Sequence, residues 1–198
     1  MRKNTGFTLV ELLITIVIVG VLLAVGIPSL KTFMKGNQLV ASTNELISAF
    51  NVARSEAIKR NGSVTVCESA NGTACTDPVT GRWEDGWIVF VGAVGTSTGA
   101  ACSAANVGTS CLLRSHDAID DAQIRIYGEN VDTSAALGST TFNARGLPRT
   151  VGGASQTGKF NVCSLDDSGA TEKSRAMMLN LTGRVRISDN AAVITLCP

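Results

Sequence analysis

Two hydrophobic periods divide the chain. Up to about Arg60 the apolar positions repeat as on a helix; after Gly62 they alternate with a period of two. The helical part itself falls into two halves. From Leu12 to Ile27 the residues are almost all apolar, softened only by Thr15, Gly20 and Gly26. A helix apolar on every side suits a membrane or the centre of a packed bundle. Farther on, Leu39, Leu46, Phe50, Ala53 and Ala57 fall on one face, while Lys35, Glu45, Glu56 and Lys59 point elsewhere. That stripe predicts packing against a sheet. Asn61-Gly62 is a stop signal. Pro28 lacks a backbone donor and crowds the turn before it, so a kink is predicted around 24–28.

In the second part, strands are predicted at 63–67, 87–91, 112–115, 123–127, 139–143, 159–163, 176–187 and 192–196. Turn-rich stretches at 69–81, 92–108 and 146–158 separate some of them. The order implies an α+β fold, with one long helix packed on an antiparallel sheet.

Composition narrows the chemistry. The chain has 198 residues, 44% hydrophobic and 17% charged, which excludes wholesale disorder. A formal charge of +1 excludes a protein basic over its whole surface, so any nucleic-acid contact has to be local. A single histidine, His116, excludes a His-rich metal site and a two-His catalytic site. There is no G-x-S-x-G elbow, and Gly152-Gly153 lacks the lysine and helix of a phosphate cradle. Asp166-Asp167-Ser168-Gly169 lacks the spacing of a calcium loop. His116, Glu84-Asp85 and Asp120-Asp121 read as surface positions. No enzyme, cofactor or metal is expected.

The N-terminus carries the most specific signal. Arg2 and Lys3 precede the apolar run, as in an export signal. As an ordinary signal peptide it would be cut near Ala24-Val25-Gly26. Glu11 stands inside the apolar stretch, where a carboxylate costs about 2.5–3.5 kcal/mol on membrane-insertion scales. The run Gly6-Phe7-Thr8-Leu9-Val10-Glu11-Leu12-Leu13 resembles the processing site of type IV pilins and of the related secretion pseudopilins. The resemblance implies a leader over 1–6 and cleavage by a prepilin peptidase between Gly6 and Phe7. It also implies N-methylation of Phe7 and pairing of Glu11 with the N-terminal amine of a neighbouring subunit. Loss of Arg2 and Lys3 takes the side-chain charge from +1 to −1. The domains then read as leader 1–6, membrane or filament-core half-helix 7–30, amphipathic half-helix 31–61 and periplasmic sheet domain 62–198. The implied arrangement is the pilin lollipop. Before assembly the chain sits in the bacterial inner membrane, and afterwards in a pilus with major and minor pilins.

Export permits disulfides. The six cysteines contain no C-x-x-C pair, and the expected bridges are Cys67–Cys75, Cys102–Cys111 and Cys163–Cys197. The first two close local loops; the third ties the C-terminal end to the sheet.

Charge is segregated along the chain. Residues 68–132 hold nine acidic and three basic side chains; residues 141–198 hold four acidic and seven basic. An anionic partner is therefore sought in the C-terminal third. Extended backbone over 176–187 would put Arg184 and Arg186 on one face, roughly 7 Å apart, a spacing similar to that of phosphates along a nucleic-acid strand. Gly183 would allow a turn or a close approach.

The layout resembles the FimT/FimU minor pilins and the GspH pseudopilins. Ala53-Arg54-Ser55-Glu56-Ala57 and Arg145-Gly146-Leu147-Pro148 are similar to segments of that group, and Gly183-Arg184-Val185-Arg186 to the G-R-x-R motif of DNA-binding FimT-type pilins. This implies weak, sequence-independent phosphate binding by Gly183, Arg184 and Arg186 in DNA uptake during natural transformation, helped by Lys173, Arg175, Arg149 or Lys159. A tip subunit that primes pilus assembly and a type II secretion pseudopilin remain alternatives.

Overall fold

The computed structural model describes residues 7–76, 80–97, 99–103, 110–119, 123–150, 152–166 and 168–188. Gly6, the pair Asp120-Asp121, the predicted strand 192–196 and Cys197 lie outside the described residues. The chain forms two units, Met1–Gln38 and Leu39–Pro198. Helix α1 (Leu9–Arg60) begins in the first and ends in the second.

In the first unit, the stretch Leu9–Ile27 is long and apolar enough to cross a membrane, and none of it is buried. Helical structure continues through Gly20, Gly26 and Pro28. The predicted kink therefore does not split α1: a proline removes one hydrogen bond of a ladder whose neighbours persist.

In the second unit, the predicted stripe is the buried face. Leu39, Leu46, Phe50, Ala53 and Ala57 are all inside. Thr43 fills the gap between Leu39 and Leu46, and its hydroxyl donates to the Leu39 carbonyl at 2.7 Å, which satisfies the donor. α1 stops where expected. Asn61 takes φ 49°, its N–H bonds the Ile58 carbonyl at 3.2 Å, and Gly62 N–H bonds the Ala57 carbonyl at 3.1 Å. This is the doubly bonded left-handed helix cap.

The strands are β1 (Val64–Glu68), β2 (Trp87–Val91), β3 (Leu112–His116), β4 (Ile124–Glu129), β5 (Ser139–Phe142), β6 (Pro148–Arg149), β7 (Gly158–Leu165), β8 (Thr171–Leu179) and β9 (Val185–Ser188). They form two sheets where one was expected: β3-β2-β1-β5-β6 and β4-β7-β8-β9, with every adjacent pair antiparallel. The predicted strand 176–187 is a hairpin rather than a strand, turning at 180–184. The polar start of β8 was not predicted; its pairing with β7 makes it a strand.

Phe50 joins the two sheets. Its ring lies 6.2 Å from Phe142 of β5 and 5.0 Å from Phe160 of β7, both edge-on. Trp83, on a short 3-10 helix (Trp83–Asp85), closes the cluster at 5.8 Å from Phe50 and 5.1 Å from Phe160, its indole N–H held by the Leu137 carbonyl at 2.7 Å. Each such ring pair adds about 0.5–1.5 kcal/mol to the burial term.

Glu68 ends β1 almost without exposure, its carboxylate accepting from the Thr80 N–H at 2.7 Å and hydroxyl at 3.3 Å. Burial raises its pKa above the ordinary 4.5, and the Thr80 bonds only partly offset this. A raised folded pKa means the native state holds the proton to higher pH than the unfolded chain. The contribution is thus favourable at low pH and is lost as pH rises from 4.5 through the folded value. Urea titrations of wild type and Glu68→Gln across this window are expected to show a smaller loss of stability with rising pH in the variant.

Candidate functional site

One local design recurs four times among the described residues. In the turns 143–147, 150–154, 166–170 and 180–184, the first residue is Asn143, Thr150, Asp166 or Asn180, and the fourth is Gly146, Gly153, Gly169 or Gly183. The glycine N–H bonds the first carbonyl at 2.8–3.0 Å, and the fifth residue's carbonyl accepts the first N–H. The first side-chain oxygen accepts the fifth N–H, at 2.9 Å in Arg184→Asn180 and 3.1 Å in Leu147→Asn143. All four glycines have φ between 72° and 83°, a conformation that favours glycine. The glycine of G-R-x-R and that of R-G-L-P thus occupy equivalent places in equivalent turns, and Oδ1 of Asp166 accepts three hydrogen bonds inside its own turn.

Two of these turns meet. A Cβ at Gly183 would run into the Gly146 carbonyl oxygen and lie 3.1 Å from Arg54 Nε. Arg54, on α1, donates from Nε to that same carbonyl at 3.3 Å. The three segments noted in the sequence therefore converge on one junction. Beside it is an open depression of about 300 Å³ lined by Asn51, Arg54, Arg184, Val185 and Arg186. Arg184 and Arg186 are exposed, and Arg54 is half-buried. Among the described residues none of these three guanidiniums has a carboxylate partner. Arg145 lies on the neighbouring turn, also exposed. Cations gathered without counter-charges favour an anion.

The expected helpers are spread out. Lys159 shares a cross-strand row with Arg186 through Met178, but it pairs with Glu129 at 2.9 Å. Arg149 bonds Ser155 from Nη1 at 2.9 Å in another hairpin. Arg175 is half-buried on the face of β8 shared with Met177, and Lys173 is ~17 Å along that strand from the Arg186 row. The structure thus groups Arg184 and Arg186 with Arg54 and Asn51, which the strand pattern missed; the signal available was the Arg54 segment of the helix.

The remaining assignments divide. Cys67–Cys75 and Cys102–Cys111 are formed. Cys163 is disulfide-bonded, while its expected partner Cys197 lies outside the described residues. Phe7 is exposed ahead of α1. Glu11 is in the first turn, its N–H held by Thr8 Oγ1 at 3.3 Å, so Thr8 caps the helix that Glu11 helps to start. The surface reading of Glu84 is overturned, while His116 stays partly exposed but is held by partners. Glu84 is buried, accepting from Ile126 N–H at 3.1 Å and Arg82 Nε at 3.1 Å. His116 stacks on Trp87 with ring centroids 3.8 Å apart and bonds Glu45 of α1 at 2.8 Å. In both cases partners far along the chain supply what a local reading assigned to water.

The cost of the junction is measurable. Gly169→Ala meets only the φ penalty, about 1–2 kcal/mol, because nothing lies within 4 Å of its Cβ position. Gly183→Ala adds the clash with Gly146 and Arg54, an overpacking cost of about 1–3 kcal/mol. Denaturant unfolding of the two variants is expected to show this order; equal losses would remove the close approach from the account.

Residues 42–183 match the family model described as type II transport protein GspH, and residues 1–27 match the prokaryotic N-terminal methylation motif. The first match ends at Gly183, just short of both motif arginines. Two crystal forms of the type IV minor pilin FimU from Pseudomonas aeruginosa are similar in structure. One gives TM-score 0.50 at 21% identity over 75% of this chain and 90% of that one; the other gives 0.49 at 20% over 79% and 92%. The first of these shows a shared fold. No curated protein is similar enough in sequence to count as a relative.

Proposed function

The chain belongs to the family of the type II transport protein GspH, and from that premise we propose that it is a minor type IV pilin that holds DNA by its phosphates. The methylation motif and the family imply processing by a prepilin peptidase and assembly with other pilins. Cleavage falls between Gly6 and Phe7 and leaves N-methylated Phe7 at the head of the apolar helix. The stretch Leu9–Ile27 anchors the subunit in the inner membrane, with the sheet unit in the periplasm, until the filament takes it up. There Glu11 meets the N-terminal amine of a neighbour, which offsets the cost of burying its charge.

The observation that carries DNA binding is the exposed pair Arg184 and Arg186 beside a depression with no carboxylate partner among the described residues. Arginine takes phosphate oxygens with forked hydrogen bonds. Such contacts carry no base information, so binding is salt-sensitive and indifferent to sequence. The soluble part, residues 35–198, is expected to bind DNA at low salt. Arg184→Gln/Arg186→Gln is expected to lose affinity and about two units of the log–log salt slope. A folded double variant that binds like wild type would falsify the assignment.

The family description favours a second reading, a type II secretion pseudopilin. Deletion separates the two: untransformable cells with pili support the first, and lost protein secretion with normal pili supports the second.

A further inference from the structure

We propose that the depression between α1 and the β8–β9 hairpin is a seat for a single phosphate, in which Arg54 and Asn51 of the helix act with Arg184. This rests on the reading of the site as DNA-binding and adds the helix to it. Arg54 spends one N–H on the Gly146 carbonyl. Among the described residues no other bond or ion pair engages its guanidinium; the residue is half-buried and lines the depression. A guanidinium with N–H groups unspent beside an open depression gains charge-assisted hydrogen bonds from a bound oxyanion. Asn51 is one helical turn before Arg54, on the same side of α1, and lines the depression with an amide that donates but carries no charge. Arg184 enters from the opposite wall, its backbone fixed by the Asn180 side chain at 2.9 Å. The missing Cβ of Gly183 lets hairpin and helix approach this closely. Two guanidiniums and an amide converging from two elements fit the tetrahedral oxygens of a phosphate. A DNA strand held there crosses from the hairpin onto the helix instead of running along β9 alone.

The test uses the full chain in a non-ionic detergent, with fluorescent duplex DNA at fixed low salt. Arg54→Gln and Arg184→Gln are each expected to weaken binding about tenfold, the loss of one charge-assisted contact, and Asn51→Asp at least as much, because its carboxylate loses the amide donor and repels the phosphate. Arg54→Gln/Arg184→Gln is expected to fall well short of the product of the single effects, because both residues serve one phosphate. Asn51→Asp leaves the Arg54–Gly146 bond in place and should unfold at the wild-type midpoint, so its loss of binding reports the seat and not the fold. If Arg54→Gln weakens binding while Asn51→Asp does not, Arg54 only positions the hairpin and the seat is refuted. If both bind like wild type while Arg184→Gln/Arg186→Gln does not, the seat fails and the DNA reading stands. If wild type binds no DNA, the DNA reading fails and inorganic phosphate decides the seat. A shift of the Arg54 Nε–H resonance in wild type, absent in Asn51→Asp, sustains a free-phosphate site, and no shift overturns it.

Discussion

Phe50 is the side chain on which the second unit converges. A single helix face has to satisfy two sheets, and one ring in edge-on contact with Phe142 and Phe160 meets both. Small residues at Ala49, Ala53 and Ala57 let the backbone of α1 approach closely on either side of it. The rest of the helix follows from this orientation. With Ala53 fully buried, Arg54 stands about 100° round the helix, at the edge of the core, and Asn51 is left to solvent. The packing face therefore decides which polar residues can meet the hairpins.

The recurring turn does the complementary work from the sheets. Its left-handed glycine and its side-chain acceptor satisfy the backbone with no help from outside. Such turns can be placed against one another, as at Gly146 and Gly183. The glycine of G-R-x-R is required by the fold whether or not a ligand binds. The arginines after it are not required in this way, and among the described residues neither has a carboxylate partner. Three other cations are matched within the fold: Arg60 with Glu56, Arg82 with Glu84, and Lys159 with Glu129.

Local signals in the sequence determined a great deal. The start and stop of α1, its buried stripe, the positions of most strands and two short-loop disulfides each depend on residues a few places apart. The N-terminal motif, contiguous and set on a basic leader, carried the family. The tertiary structure alone divided the strands into two sheets and buried Glu84. It also decided the hairpin inside 176–187. A five-residue turn joins Leu179 to Val185, so odd-numbered positions stay in phase on both sides and the alternation runs through the reversal unmarked. The junction was hidden for a different reason: Arg54 and Gly146 are 92 residues apart. Periodicity tells a side chain which face it belongs to, whereas the partner across that face is set only when the elements pack.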